Sequence, residues 1–295
     1  MKRAALFAAL LWGAGCGVPA QFNTTDPLTF APGAFDTANH AVIGVPGAFT
    51  SIRVLAPLES LRTRTRAVAY YRLPGFDGRP DNEWVVIDKA AARIARLTRD
   101  HALTRIDLIG HSTGAVIALE AAKRIRQISP NTDVYVHAIS SALPSPQPIL
   151  AGVRGAGGTV AAAARTGSLN PRKVWLAYYR RLAYGPDADV SPTTSQAADA
   201  LVAANDDRIT LPDKGLGRRH TRALRRWTNP DPDAANGATL TYYHGAVDPV
   251  FPPRATKRFT DTLPDANLKL VEGHGHLLLL TYPEIWDTIK DQITE

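Results

Sequence analysis

The stretch TRIDLIGHSTGAVIALEAAKRI, residues 104–125, sets the frame for the rest of the chain. Thr104–Ile109 reads as a strand, and Thr113–Ile128 as an Ala-rich helix. Between them lies Gly110-His111-Ser112-Thr113-Gly114, a G-x-S-x-G turn from strand into helix. Such a turn holds its serine at strained backbone angles, with the hydroxyl exposed at the carboxyl edge of a sheet. Gly110 and Gly114 leave room where neighbouring elements crowd the turn, and the helix aims its N-terminus at the site, where developing negative charge is stabilised. Ser112 is the candidate nucleophile.

Outward from this turn, strands and helices alternate. His40–Val45 (HAVIGV), Arg66–Tyr71 (RAVAYY) and Asp133–Ser140 (DVYVHAIS) are short apolar strands. Asp81–Asp100 opens with capping-type residues and carries Trp84, Ile87, Ala91, Ile94 and Leu97 at helical spacing. Strands separated by helices imply a mainly parallel sheet covered on both faces, an α/β fold. The rhythm breaks at Pro144, Pro146 and Pro148; residues 151–165 are Gly/Ala-rich and weakly patterned, and helix-compatible runs follow at 171–184, 192–204 and 217–227. It returns with strand Thr239–Tyr243, a helix around 253–262, strand Asn267–Val271 and a final helix from Pro283. The organisation expected is one α/β core, 38–145 and 236–295, interrupted at 146–235 by a helical insertion too long for a plain loop and suited to a cap or lid.

The start of the chain reads as an address. Met1-Lys2-Arg3, the apolar run Ala4–Leu11 and the small residues before Cys16 describe an export signal within residues 1–20, too short to span a bilayer. Small residues directly before a cysteine resemble a bacterial lipobox, which would leave a lipidated Cys16 as the new N-terminus and bring membrane association; Gly13 stands where that motif usually has Leu. Cleavage after Ala20 is the other possibility and would give a secreted soluble protein. The lone cysteine has no other evident use, which favours the first. Residues 21–37, rich in Thr, Pro and Gly, read as a tether.

Composition narrows the field. The chain has 295 residues, 45% hydrophobic and 21% charged, which excludes disordered, collagen-like and coiled-coil classes. A single cysteine excludes a disulfide framework and Cys-based zinc sites, and no other metal-ligand spacing stands out. The net charge of +7 is spread along the chain, without a nucleic-acid module.

A serine nucleophile needs a base, and the base needs an orienting acid. After strand 239–243 comes HGAVDPVFP, offering Asp248 in a loop; after strand 267–271 comes EGHGHLL, offering His274 and His276. Ser112 followed by an acid and then a histidine, each just after a strand, is the order expected for a nucleophile on such a turn.

With these motifs the chain resembles the α/β-hydrolase superfamily, over roughly 38–145 and 237–293. His244–Pro252 matches the family's phrase around its acid, and Gly275-His276-Leu277-Leu278 with Pro283-Glu284 matches its histidine register, which His274 does not. The resemblance implies an α/β-hydrolase fold with a helical cap, Ser112 as nucleophile, His276 as general base and acid, and Asp248 as orienting carboxylate. His274 is the fallback base, and Glu272 a weak rival to Asp248. His111, common beside the nucleophile in this family, packs locally. The oxyanion hole falls to the backbone N–H groups of Thr113 and Ala48. Where the family usually has His-Gly, this chain has Pro46-Gly47, so another feature, such as the stiffness of Pro46, must order that loop. Arg72–Arg79 resembles the glycine-rich loop after the next strand, with Arg72 in place of the usual Asp.

The reaction this implies is hydrolysis of carboxylic esters through an acyl-enzyme, with no cofactor and no metal, on a small-molecule or lipid ester. Acyl transfer, thioester or C–C cleavage by the same residues is the alternative among enzymes; a non-catalytic binding protein of the same fold is the alternative outside them. In the cap, Trp175, Tyr178, Tyr179 and Tyr184 share one helix and either line an acyl pocket or pack cap on core. Arg218, Arg219, Arg222, Arg225 and Arg226 gather along one side of a helix that faces solvent or anionic lipid headgroups.

Overall fold

A computed structural model describes residues 26–206, 209, 211 and 214–295. The export signal, Cys16 and the first part of the tether lie outside the described residues. The strands are β1 (Leu28–Phe30), β2 (His40–Val45), β3 (Arg66–Tyr71), β4 (Arg105–His111), β5 (Asp133–Ile139), β6 (Ala238–Gly245) and β7 (Asn267–Val271). They form one sheet in the order β1-β3-β2-β4-β5-β6-β7, parallel throughout except for β1, which pairs antiparallel with β3 at the edge.

The inner strands are apolar on both faces because both faces are covered. Ala41, Ile43, Ile106, Leu108, Val136 and Leu240 point into one cluster, which contains the apolar sides of α1 (Ile87–Asp100) and α2 (Thr113–Ile128). Val42, Val68, Ile109, Ile139 and Tyr243 point to the other, against a 3-10 helix (Ile52–Leu61) and the chain's last helix (Glu284–Thr294). The chain is thus an α/β sandwich in which β4, at the centre, delivers Ser112 to the carboxyl edge.

Between β5 and β6 the regular elements among the described residues are helices: α3 (Gln147–Thr166), α4 (Pro171–Tyr184), a single turn at Asp187–Val190, α5 (Pro192–Asn205) and α6 (Lys214–Thr221), followed by 3-10 turns at Leu224–Arg226 and Asp233–Ala235. The weakly patterned 151–165 is the body of α3. Its glycines allow close approach: a Cβ at Gly158 would lie 2.5 Å from the Tyr178 ring on α4. Beyond the insertion come α7 (Pro253–Thr260), a single turn at Leu278–Thr281, and the last helix, α8 (Glu284–Thr294).

Three segments differ from the sequence reading. Residues 28–30, within the stretch read as a tether, form β1; three residues are too few to show a period-2 pattern, and tertiary contacts hold them. Arg93 grips Asp26 with two bonds of 3.1 and 2.6 Å, and the buried Arg72 donates to the Asp26 carbonyl at 2.5 Å. Residues 81–86 are not the first turns of α1. Val86 is extended and the Val85 N–H donates to the Arg219 carbonyl of α6, so tertiary pairing takes this segment out of the helix. Trp84 accordingly sits half-exposed under the Arg222 guanidinium. The arginine stripe is also broken, because α6 ends at Thr221 and a separate 3-10 turn holds Leu224–Arg226.

At the amino end of the sheet, away from Ser112, Asp107 is fully buried between His40 (2.6 Å), His137 (3.4 Å) and Arg105 (3.1 Å). Burial alone would raise its pKa, but the bonds from His137 and His40 outweigh it and hold the carboxyl down at about 2. A carboxyl depressed in the fold stabilises above its unfolded pKa, and that stabilisation is lost as pH falls through the folded value. Asp107→Asn should therefore lose about 2 kcal/mol of unfolding free energy at pH 7 and flatten the stability curve between pH ~4 and ~2, as read by urea denaturation across that range.

Candidate active site

Ser112 sits between β4 and α2 with φ 51° and ψ −115°, a left-handed backbone that a serine adopts only when its surroundings impose it. Here they do. The Ser112 N–H donates to the Ile139 carbonyl at the end of β5 (3.0 Å), and the Ser112 carbonyl accepts from Ala115 and Ala142 (both 3.1 Å). On the other side the end of β2 presses in, so a Cβ on Gly114 would come within 2.1 Å of the Val45 carbonyl oxygen. The turn is clamped between the two strands flanking β4.

The loop after β7 brings His276 to this serine: its Nε2 lies 3.0 Å from Ser112 Oγ. Its Nδ1 lies 2.8 Å from Asp248 Oδ2, in the loop after β6. Asp248 Oδ1 accepts the N–H groups of Val250 (2.7 Å) and Phe251 (3.0 Å), so the carboxylate is fully engaged although wholly buried. Burial opposes its ionisation, but His276 and those N–H donors prevail and keep its pKa below the ordinary carboxylate value.

The backbone of His276 is held from two sides. Its N–H donates to the Leu182 carbonyl (2.6 Å), with Gly275 N–H on Ala183 (2.8 Å) and Leu277 N–H on Leu182 (3.2 Å). These are carbonyls of the last turn of α4, which have no partner inside their own helix. From the other side His111 Nε2 donates to the His276 carbonyl at 3.1 Å. His111 is buried, and burial together with the adjacent His276 pushes its pKa down to about 3, so it stays neutral as a donor.

The structure brings Ser112, Asp248 and His276 together and leaves the rivals outside. His274 faces away, its Nδ1 bonded to Thr281 Oγ1 (2.9 Å) beside Tyr184 and Tyr282; Glu272 is exposed. Thr113 opens α2, and the loop of Ala48 lies against the serine, since a Cβ on Gly47 would stand 3.2 Å from Ser112 Cβ. Neither Ala48 N–H nor Thr113 N–H has a hydrogen-bond partner among the described residues. Tyr178 packs with Ala162, Val174, Ala177 and Leu182 inside the insertion, and Trp175 and Tyr179 border that cluster together with Val250 and Leu277, neighbours of Asp248 and His276. A cleft of about 440 Å³ between Pro144, Pro146, Pro232 and Phe259 contains none of the three central side chains. Two buried histidines to which the sequence assigns no part in the site lie among these loops: His244, which bonds the Phe251 carbonyl (2.7 Å), and His220 on α6, which bonds the Pro74 carbonyl (2.8 Å). Among the described residues no group of three or more His, Cys, Asp or Glu side chains is arranged to hold a metal, and no helix is long and apolar enough to cross a membrane.

A parallel sheet with a strained serine after its central strand, and a histidine and an aspartate delivered by later loops, defines a class. The chain belongs to the alpha/beta hydrolase family, whose model matches residues 30–286. No curated protein matches it. Among solved structures it is similar to MGS-M2, an alpha/beta hydrolase enzyme from a Medee basin deep-sea metagenome library (15% identity, 90% of this chain and 94% of that one, TM-score 0.65). It is also similar to a thermophilic esterase from Thermogutta terrifontis (17%, 90% and 93%, 0.62) and to the enol-lactonase from Burkholderia xenovorans LB400 (14%, 91% and 96%, 0.65). At these identities the likeness is one of fold.

The clamp on the serine turn is testable by packing. Gly114→Ala forces a methyl against the Val45 and Pro46 carbonyls and should lower stability by roughly 1–3 kcal/mol or more, seen as a reduced urea midpoint with unchanged slope.

Proposed function

We propose that this chain is a serine hydrolase that cleaves carboxylic esters through an acyl-enzyme on Ser112. The observation that carries this reading is the unbroken hydrogen-bond chain from Ser112 Oγ through His276 to Asp248, at 3.0 and 2.8 Å. Ser112 Oγ attacks the ester carbonyl while His276 Nε2 takes its proton. Asp248, kept ionised, holds Nδ1–H and stabilises the imidazolium. The N–H groups of Ala48 and Thr113 receive the oxyanion. On collapse of the tetrahedral intermediate the alkoxide leaves with the proton from Nε2, giving the free alcohol and acyl-Ser112. Water then attacks the acyl carbon, His276 takes its proton, and the acid departs as that proton returns to Ser112.

Ester substrates are favoured because two of the structures it resembles are an esterase and an enol-lactonase. The helical insertion serves as a cap over the site, and the aromatic residues of α4 pack it onto the core next to the Asp248 and His276 loops. The basic start and the small residues before Cys16 support export, with a lipid on Cys16 holding the domain at a membrane.

Labelling with a fluorophosphonate tests the reading. The wild-type protein should label, Ser112→Ala should not, and His276→Ala should label far more slowly. Asp248→Asn should reduce kcat on p-nitrophenyl acetate by about 10²–10⁴-fold, since the histidine loses its orienting acceptor. A folded wild type that never labels, or labelling that survives in Ser112→Ala, would overturn it.

A further inference from the structure

The loop after β2 carries an unusual backbone. Phe49 has φ 64°, a left-handed conformation that a bulky residue keeps only under outside constraint. That loop passes beside Ser112, since a Cβ on Gly47 would stand 3.2 Å from Ser112 Cβ. The stiffness of Pro46 cannot set Phe49, three residues further on, because a proline ring restrains its own φ and the residue before it.

The constraint comes from the insertion. His220, on α6, is fully buried, and its ring stacks on Phe49 with centroids 5.3 Å apart and planes 18° from parallel. Phe76 meets the same ring edge-on at 5.9 Å. The two ring nitrogens do different jobs. Nε2 donates to the Pro74 carbonyl at 2.8 Å, which makes Nδ1 the acceptor, and Nδ1 takes the Phe49 N–H at 3.4 Å. The loops after β2 and β3 are further joined by Asp77, which accepts from Ser51 Oγ (2.5 Å) and the Ile52 N–H (2.9 Å). His220 thus lies between the two loops and ties both to the insertion.

We propose that His220 is a positioning residue for the oxyanion-binding loop: its neutral imidazole fixes Phe49, and through it the direction of the Ala48 N–H toward the oxyanion formed at Ser112. Burial lowers the pKa of His220, the Pro74 bond opposing and Arg219 assisting, so the ring remains the neutral acceptor that Phe49 requires. This inference rests on the esterase reading above and adds a residue to it. It also makes the oxyanion loop answer to the docking of α6.

The test is steady-state hydrolysis of p-nitrophenyl acetate by the full chain, with active sites counted by stoichiometric fluorophosphonate labelling. His220→Phe keeps the stacked ring and loses the acceptor; His220→Asn keeps an acceptor at the Nδ1 position; His220→Gln keeps only a donor toward Pro74. Per labelled site, His220→Phe and His220→Gln should lose roughly 10–100-fold in kcat with little change in KM, as expected when one oxyanion donor is misdirected, and His220→Asn should recover most of the loss. Wild-type kcat per labelled site in His220→Phe, even with fewer labelled sites or a lower melting temperature, would reduce His220 to a packing residue and overturn the proposal alone. Equal loss in His220→Asn and His220→Phe would also overturn it. Absence of Ser112-dependent turnover in the wild type would remove the esterase reading and this proposal together.

Discussion

The candidate site depends first on where the backbone of His276 stands. Its N–H is taken by a carbonyl in the last turn of α4, and its carbonyl is taken by the His111 ring. Helix ends leave carbonyls without partners, and a loop rich in N–H groups is their natural complement. Here the complement is the Gly275-His276-Leu277 segment. Gly275 is required for the approach, since a Cβ there would stand 2.5 Å from the Leu182 oxygen. With both backbone groups fixed, the imidazole has little freedom left, and Ser112 and Asp248 meet its two nitrogens.

The electrostatics derive from the same packing. Asp248 is wholly buried yet held in its charged form by His276 and by the N–H groups of Val250 and Phe251. Burial lowers the pKa of His111 and His244, which lie against this pair, and of His220 and His274 further away. A neutral ring offers one donor and one acceptor nitrogen and brings no charge of its own. On the esterase reading, a positive charge forming on His276 would face one carboxylate and no competing cation among these rings.

Much of this arrangement is legible in the sequence, and the reason is distance. Strand, serine turn and helix at 104–128 are contiguous, so their pattern is local; Asp248 and His276 each come after a strand with its own short signature. What escapes is what depends on contacts between distant segments. β1 is three residues long and exists because β3, Arg93 and Arg72 hold it. Trp84 stands at helical spacing, but the pairing of Val85 with Arg219 withdraws it from α1. The arginines of 218–226 form a stripe only if one helix runs through them, and it ends at Thr221. His220 sits within that stripe, a single histidine among arginines. Nothing local marks it as the residue that is fully buried against Phe49 and Pro74, because those partners lie far back in the chain.

The insertion reaches the site at several points, among them the α4 carbonyls on the loop of His276, the Arg154 guanidinium on the Val250 carbonyl beside Asp248, and the His220 imidazole on Phe49. On the esterase reading, such contacts would tie reactivity to the docking of the insertion. A chain with α4 and α6 undocked would hold Ser112 without the carbonyls that fix the His276 loop and without the His220 ring against Phe49. A reactive serine would then report that the insertion has docked, which a formed sheet by itself would not.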